Sequence, residues 1–233
     1  MVNPHGKGMM TLLAAARWTT ALLSWPVLIV LPPLISAIVG LPWVVLMTLA
    51  ITTMPFASLG AWWISGVPFT GTPDCPPVIP AQGGHGHGHR VLGLGLLVTL
   101  VIGVSFSSSL VIPGADQGAT LFLSSIGPWR ALLLVVSGAI GEELLCRGLL
   151  WNMLTEIGLD PTRNPDRFHF RDWSRTLIAA GVFALMHMDV QHGLAVFPLG
   201  VLFGVARSRY GLWAAILAHV VNNVGAWLFM TWA

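Results

Sequence analysis

The sequence predicts an all-α, polytopic integral membrane protein with about seven transmembrane helices, whose C-terminal part forms a four-helix core. Composition is the first observation: 55% of the 233 residues are hydrophobic and only 9% are charged, whereas a soluble domain carries roughly 25% charged residues. The second is that seven apolar segments approach the length of about 20 residues that a spanning helix needs. The third is a bias of lysine and arginine toward one side of these segments.

The predicted spans follow each other closely along the chain. The first has a weakly basic front but no small-residue cleavage pattern after it, so we predict a retained span rather than a signal peptide. The fifth and sixth are short, so one more or one fewer span is compatible with the sequence. The segments cover residues 18–40, 42–66, 91–113, 129–151, 175–189, 193–207 and 211–232.

Two connections are long. Residues 67–90 are rich in proline and glycine and predict a loop. Its His85, His87 and His89 resemble a metal-binding tract, but the intervening glycines leave such ligands unorganised, which favours a flexible linker. Residues 152–175 are the most charged region and predict a structured interfacial loop.

Cysteine and tryptophan positions agree with these spans. The two cysteines, Cys75 and Cys146, do not indicate a disulfide framework. Cys146 lies in an apolar segment and is predicted to be a small buried residue. An aromatic belt is expected near the span ends, where the sequence places Trp43, Trp62, Trp63, Trp129, Trp151, Trp213 and Trp232.

The basic residues predict the orientation. A net charge of +2 is too small to indicate a nucleic-acid partner, so these residues are interpreted by position. With a cytoplasmic N-terminus and seven spans, Arg130 falls outside and Arg147 lies in or near the membrane. Nine of the eleven lysines and arginines fall inside, as the positive-inside rule expects. We predict an integral protein of a bacterial or archaeal inner membrane. The nine are Lys7, Arg17, Arg90, Arg163, Arg167, Arg171, Arg175, Arg207 and Arg209.

Few polar side chains lie inside the spans, where a helix-centre charge costs ~2.5–3.5 kcal/mol on insertion scales. At 1.5 Å per residue, Glu142 lies about 13 Å from the cytoplasmic end of its span, and His187 and His219 lie about 18 and 12 Å from the same side in two others. This shared depth predicts one site, with its mouth facing the cytoplasm. The set comprises Glu142, Glu143, Arg147, His187, His219, Asn222 and Asn223.

Helical spacing separates the two glutamates. Glu143 and Arg147 are four residues apart, share a face and are predicted to form a structural ion pair. Glu142 points about 100° away and is predicted to face a cavity, with a second contact to Arg147 as the alternative. A carboxylate tuned by burial and nearby charge can act as a general base on water.

Histidine and asparagine can donate hydrogen bonds to a developing oxyanion. Asn223 lies four residues after His219 on the same face, with Asn222 as an alternative. Interhelical hydrogen bonding is the competing interpretation of the buried histidines. Asp189 and His192 lie near the turn between the fifth and sixth spans and are predicted to be solvated, with a position in the lining of the site as the less favoured alternative.

Three motifs, each in a different apolar segment, resemble those of the CPBP family of CAAX-protease and bacteriocin-processing membrane proteins. EELLCR, from Glu142 to Arg147, resembles its E-E-x-x-x-R motif. FALMH, ending at His187, resembles its F-x-x-x-H motif, and HVVNN, residues 219–223, resembles its H-x-x-x-N motif. The resemblance covers residues 129–226.

The resemblance implies an intramembrane glutamate endopeptidase, similar to the Ras-converting CAAX endopeptidase. It implies that Glu142 with His187 activates water and that His219 with Asn223 forms an oxyanion hole. In this mechanism no cofactor is required, although a metalloprotease mechanism has also been proposed for the family and leaves a divalent ion such as zinc open.

The same resemblance assigns Glu143 and Arg147 a structural or substrate-orienting role. Its implied partners are the bilayer and a membrane-associated peptide or protein, cleaved in a C-terminal or leader segment. The chain then divides into residues 1–128, an N-terminal scaffold with the Pro/Gly/His-rich loop, and residues 129–233, a CPBP-like four-helix catalytic core.

Two other functions stay open. The main alternative is a non-catalytic membrane partner that resembles bacteriocin-immunity proteins or scaffolds. A proton-coupled transporter that uses Glu142 as a relay is less favoured, because many transporters show internal repeats and the sequence shows none.

Overall fold

The computed structural model describes five continuous stretches and, between residues 16 and 40, separate positions only. Every regular element in the described residues is a helix, which confirms the all-α class. The stretches are residues 42–65, 86–111, 117–156, 170–187 and 190–232.

Within these stretches the chain forms a series of α-helices with one π-helical segment. Pro128 begins α4, because its fixed φ suits a first helical turn. Gly211 makes the turn between α7 and α8 at φ +94°, a conformation that side chains disfavour. In chain order the elements are α1 (Trp43–Ser65), α2 (Gly86–Val111), α3 (Gln117–Ser125), α4 (Pro128–Glu143), the π-helical segment (Leu144–Leu150), α5 (Trp151–Glu156), α6 (Phe170–Met186), α7 (Val190–Tyr210) and α8 (Leu212–Trp232).

Helices α6 and α7 form a closely packed antiparallel pair. A Cβ at Gly200 would lie 3.2 Å from the Cα of Ala180, and one at Gly204 would lie 3.3 Å from the Cα of Thr176. Because glycine has no Cβ, the two backbones can approach at both positions. The G-x-x-x-G spacing on α7 therefore packs helices as such motifs do in membrane proteins.

Helix α1 lies parallel to α4 and the π-helical segment. Its Ser58 hydroxyl donates to the buried carbonyl oxygen of Gly141 at 2.9 Å. The contacts advance in step along both elements, from Ile51–Gly138 through Met54–Gly141 to Trp62–Gly148. Helix α1 thus supports the part of α4 that carries the two glutamates.

The hydrophobic core surrounds the π-helical segment, all seven residues of which are buried. Side chains from α1, α2, α6, α7 and α8 meet there. Polar groups placed in such a core need hydrogen-bond partners. Core members at most 2% exposed are Ala61, Val101, Cys146, Leu149, Phe183, Phe203 and Ala218.

Two of the described helices, Val190–Tyr210 and Leu212–Thr231, are long and apolar enough to cross a membrane. Leu92–Ser107 and Trp173–Met186 are apolar but shorter. The predicted span 129–151 is continuously helical, because α4, the π-helical segment and α5 follow one another without a gap. Only the type of helix changes along it. The count of seven spans is not confirmed and stays a prediction.

Some predicted boundaries were wrong. Residues 86–90 were predicted as loop but begin α2, residues 152–156 form α5, and residues 170–175 begin α6. Hydrophobic runs indicate the apolar part of a helix and miss polar turns at its ends. Short α3 was not predicted, because only nine residues form it.

The tryptophans of the predicted aromatic belt whose side chains the structure describes divide into two groups; the side chains of Trp43 and Trp232 lie outside the described part. Trp63 and Trp129 are 84% and 82% exposed, as a belt requires. Trp62 and Trp151 are only 4% and 3% exposed, so they belong to the core and not to the belt. Tryptophan at a predicted span end therefore does not by itself show exposure.

Several predictions concern residues outside the described ones. They include His85 and the side chains of His87 and His89, as well as Cys75 and Asp189. The linker interpretation of the histidine tract, and the domain boundary at residue 129, stay predictions.

The bundle has two chemically different ends. At the first, α6 begins beside the end of α7 and the start of α8, and this end carries Arg175, Arg207 and Arg209. We call it the arginine end. At the opposite, distal end, α4 and α7 begin and α6 and α8 end, and Arg130 lies in the first turn of α4.

Candidate active site

Glu143 and Arg147 form a buried ion pair at the junction of α4 and the π-helical segment. Nη1 of Arg147 donates to Oε1 of Glu143 at 2.9 Å, and both side chains are 0% exposed. Nη2 donates to the carbonyl oxygen of Gly200 on α7. The guanidinium carbon lies 4.9 and 5.6 Å from the ring centres of Phe183 and Phe203. The predicted ion pair is thus present, and it links α4 to α7.

The π-helical geometry frees a backbone carbonyl that Arg207 then binds. The Trp151 N–H donates to the carbonyl oxygens of Cys146 and Gly148, and not to that of Arg147, four residues back, as in an α-helix. Nε of Arg207 donates to the Arg147 carbonyl oxygen at 3.0 Å in a buried position. A second arginine therefore fixes the backbone of the residue that holds Glu143.

His219 contacts both glutamates. Its Nδ1 lies 3.0 Å from Oε1 of Glu143, and its Nε2 lies 3.6 Å from Oε2 of Glu142. Since an ionised carboxylate can only accept hydrogen bonds, Nδ1 carries a proton toward Glu143. The imidazole stacks on Phe203 at a centroid distance of 4.5 Å. Glu143 and Phe203 together keep Nε2 directed at Glu142.

Glu142 differs from Glu143 in its surroundings. Its side chain is 19% exposed and lines a cavity of about 180 Å³. A water molecule occupies about 30 Å³ in the liquid, so the cavity has room for several. Glu142 thus faces a cavity, as predicted. The alternative prediction was a contact with Arg147, but the ionisable partner near Glu142 is His219. The polar lining consists of Ser105, Glu142, His187, His192, His219, Asn222 and Asn223.

His187 follows the last residue of α6 and lines the same cavity. Its Nδ1 lies 2.9 Å from the carbonyl oxygen of Phe183. Because a carbonyl oxygen can only accept a hydrogen bond, Nδ1 carries the proton. In the neutral ring, Nε2 then keeps its lone pair. The ring stacks on His192 at 4.6 Å. Among the described residues, the histidine within ion-pair distance of Glu142 is His219, not His187.

Asn222 and Asn223 both line the cavity. Nδ2 of Asn222 donates to Oδ1 of Asn223 at 3.1 Å. This bond occupies the amide oxygen of Asn223 and leaves its Nδ2 available as a donor. Asn222 is only 6% exposed. The two asparagines therefore form a pair in which Asn222 can orient Asn223.

The described residues do not provide a metal site. Among them, no group of three or more histidine, cysteine, aspartate or glutamate side chains could hold a metal ion. Glu142 and His219 are close, but Nδ1 of His219 is already bonded to Glu143. The cofactor-free mechanism and the alternative with a divalent ion such as zinc both stay predictions.

Sequence reasoning missed the groups that hold the site in place. Phe203 stacks on His219 and Arg207 binds the Arg147 backbone. His192 lines the cavity, which was the less favoured of its two predicted positions. A signal existed for Arg207, which lies seven residues after Gly200 and therefore on the same face of α7. The apolar Phe203 gives no comparable signal.

These features define a class of protein: an all-helical bundle that encloses a carboxylate, histidines and asparagines around a cavity large enough for water. Many large apolar side chains face outward on its helices. Examples with 46–69% of their surface exposed are Leu100, Ile102, Phe106, Trp213 and Leu217. Such a site suits acid–base chemistry within a membrane protein.

Residues 124–225 match a family model described as type II CAAX prenyl endopeptidase Rce1-like. The match contains all three motifs and supports the assignment of this part of the chain to the CAAX-protease family. The family and the apolar helices fit a protease of membranes. Comparisons with curated proteins and with solved structures found no match.

Proposed function

We propose that the protein is an intramembrane endopeptidase in which Glu142 activates water. The observation that carries this proposal is the contrast between two neighbouring carboxylates. Glu143 is fully buried and bonded to Arg147 and His219, whereas Glu142 reaches the cavity. The family match supports the proposal, since its description is that of an endopeptidase.

In the proposed reaction, a water molecule in the cavity gives a proton to Glu142 as its oxygen bonds to the carbonyl carbon of the substrate. The carbonyl oxygen becomes an oxyanion. When the carbon–nitrogen bond breaks, the leaving amine takes up a proton from Glu142. The products are a carboxylic acid and an amine, and no covalent enzyme intermediate forms. Cys146 is 0% exposed and has no part in these steps.

We assign stabilisation of the oxyanion to Asn223 and His219. The free Nδ2 of Asn223 can donate to the oxyanion, and one such donor contributes about 10²–10³-fold in rate. Nε2 of His219 can exchange a proton with Glu142 or, when protonated, donate to the oxyanion. His187 lines the cavity with its Nε2 lone pair available, so it can assist the proton transfers without touching Glu142 directly.

We also propose a polytopic protein with seven spans and a substrate anchored in the same membrane. The outward apolar side chains support the first part. The enclosed position of Glu142 supports the second, because only a peptide held at the membrane can reach a carboxylate inside the bundle. A C-terminal or leader segment is the substrate region we expect.

The test compares membrane proteomes of cells that carry the wild-type protein, Glu142→Gln or His187→Ala at equal expression. Terminal peptides made by the wild type should fall by about 10²-fold or more with Glu142→Gln, the scale of general-base catalysis. Glu156→Gln makes the same chemical change in α5, fourteen residues further along the chain, and should leave the peptides unchanged.

Two results would reject the assignment. One is wild-type cleavage by both site variants. The other is unchanged cleavage together with lost proton-coupled uptake, which would indicate a transporter. In purified membranes, EDTA should not slow cleavage, and recovery of lost activity by zinc would contradict the metal-free mechanism.

A further inference from the structure

The cavity leads from Glu142 toward the distal end of the bundle. On α8 its lining extends from His219 in the second turn to Met230 near the last residue. It includes Phe183 near the C-terminal end of α6, His187 directly after that helix, and His192 in the first turn of α7. All these helix ends belong to the distal end.

The opposite wall of the cavity follows the same direction. Ser105 lies six residues before the end of α2, Leu123 lies on α3, and Val135 lies two turns into α4. Phe106 and Phe229 form an edge-to-face contact at a centroid distance of 5.8 Å, which places the ends of α2 and α8 side by side. The lining thus approaches the distal end on every helix that contributes to it.

Toward the arginine end the cavity is closed by a buried layer. Glu143 and Arg147 are 0% exposed, and Trp151, Arg175 and Arg207 are 3%, 2% and 7% exposed. The guanidinium carbons of Arg175 and Arg207 lie 4.9 and 5.9 Å from the Trp151 ring centre. These five residues are absent from the cavity lining, so no described path leads from Glu142 to this end.

Basic residues divide between the two ends in the same way. Arg130, in the first turn of α4, is the basic residue of the described helices at the distal end. Positive charge accumulates on the cytoplasmic side of membrane proteins, so the arginine end is the cytoplasmic one. Its helical residues include Arg90, Arg171, Arg175, Arg207 and Arg209.

We propose that the cavity opens to the outer face of the membrane and accepts a peptide segment that has already been translocated. This inference rests on the proposed endopeptidase function and specifies its substrate class: a membrane-anchored polypeptide cleaved on the side opposite the cytoplasm. It replaces the expectation of a cytoplasmic mouth, which came from the depth of Glu142 and took no account of the buried layer beneath it.

The cavity lining narrows the substrate further. Apart from Glu142 and the histidines, its side chains carry no charge, and apolar residues such as Leu123, Val135 and Trp227 form much of the wall. An uncharged, partly apolar segment next to a membrane anchor fits these walls. A charged tail would leave its charges without partners in a low-dielectric cavity.

The test measures which face gives access to the cavity. In a background with Cys75→Ala and Cys146→Ala, single cysteines are introduced as Ala226→Cys and Met230→Cys in the cavity. Arg130→Cys and Arg209→Cys form a matched pair of exposed positions at the distal and arginine ends. A membrane-impermeant maleimide is added to spheroplasts and, separately, to inside-out vesicles.

We expect the cavity cysteines and Arg130→Cys to react in spheroplasts at least tenfold faster than in vesicles, and Arg209→Cys to show the reverse. Labelling of either cavity cysteine with the Arg209→Cys pattern would overturn the proposal. The proposal would also be overturned if the cavity cysteines react from neither side but react after detergent solubilisation. Labelling of Arg209→Cys in spheroplasts would overturn it as well.

This labelling does not depend on cleavage. If the cavity opens to the outer face but the Glu142→Gln variant still cleaves, the proposed catalytic residue is rejected and the proposed access route stands. A cytoplasmic cavity with a Glu142-dependent activity would do the opposite.

Discussion

At the scale of single residues, Glu142 and Glu143 differ in role because the helix turns by about 100° between them. Glu143 points into the core, where Arg147 and His219 both donate to its Oε1. Glu142 points to the cavity, and Nε2 of His219 lies 3.6 Å from it. One carboxylate is thereby committed to structure, and the other is left for chemistry.

Replacing Glu143 by glutamine should lower the free energy of unfolding by about 3–5 kcal/mol, because Arg147 would keep a buried charge without its counter-charge. Glu142→Gln is the matched control and should change it by less than about 1 kcal/mol, as expected for a partly exposed ionic contact. Denaturant titration in detergent micelles measures both values. Equal losses in the two variants would contradict the division of roles.

The sequence could predict the Glu143–Arg147 pair, because both residues lie on one helix and the spacing alone brings them together. It could not predict that His219 contacts both glutamates. Residues on different helices share only an approximate depth, and their side-chain contacts depend on how the helices are rotated. The same reason explains why Glu142 lies within ion-pair distance of His219 and not of His187, the histidine that the family resemblance assigns to water activation.

At the scale of elements, the π-helical segment is the feature that shapes the site. LLCRGLL has the same apolar pattern whether it is α- or π-helical, so the sequence gives no sign of the change. The structure shows its consequence, which is that the Arg147 carbonyl accepts from Arg207 on α7. The segment and α7 are therefore held together through both the side chain and the backbone of Arg147.

Arg207→Met should lower the free energy of unfolding by about 1.5–3 kcal/mol, the range for a hydrogen bond to a charged group. Arg209→Met, at an exposed position two residues later, should stay within about 0.5 kcal/mol of the wild type. Because Arg207 acts on the residue that binds Glu143, a double-mutant cycle with Glu143→Gln should give a non-zero interaction energy. Strict additivity would show that Arg207 supports the fold independently of the ion pair.

The contact between α1 and α4 gives a second element-scale prediction. A Cβ at Gly141 would lie 2.9 Å from backbone atoms of Met54 and Pro55, whereas one at Gly181 would meet nothing within 4 Å. Gly141→Ala should therefore destabilise the protein by about 1–3 kcal/mol and slow cleavage, because Glu142 is the next residue. Gly181→Ala should stabilise α6 by about 0.5–1 kcal/mol. Thermal unfolding and cleavage assays of both variants test this, and an unaffected Gly141→Ala would show that α1 does not support the site.

At the scale of the whole molecule, apolar length predicted most of the long helices, because burial in lipid or in a core requires the same kind of segment. It could not predict which helices face lipid. Trp62 and Trp151 lie at predicted span ends yet are buried. The direction of the cavity was also beyond the sequence, since it depends on a buried layer to which α4, the π-helical segment, α5, α6 and α7 each contribute one residue.

The arrangement of the two ends predicts where the chain termini lie. Helix α8 runs from the arginine end to the distal end, so the chain after it should be outside if the arginine end is cytoplasmic. Seven spans place the N-terminus on the other side. A reporter that fluoresces only in the cytoplasm should be bright when fused before Met1 and dark after Ala233, and an export-dependent phosphatase should show the reverse. Both termini on one side would require an even number of spans. A cytoplasmic Ala233 would mean that the cavity opens to the cytoplasm. This measurement therefore constrains both the span count and the side from which the substrate enters.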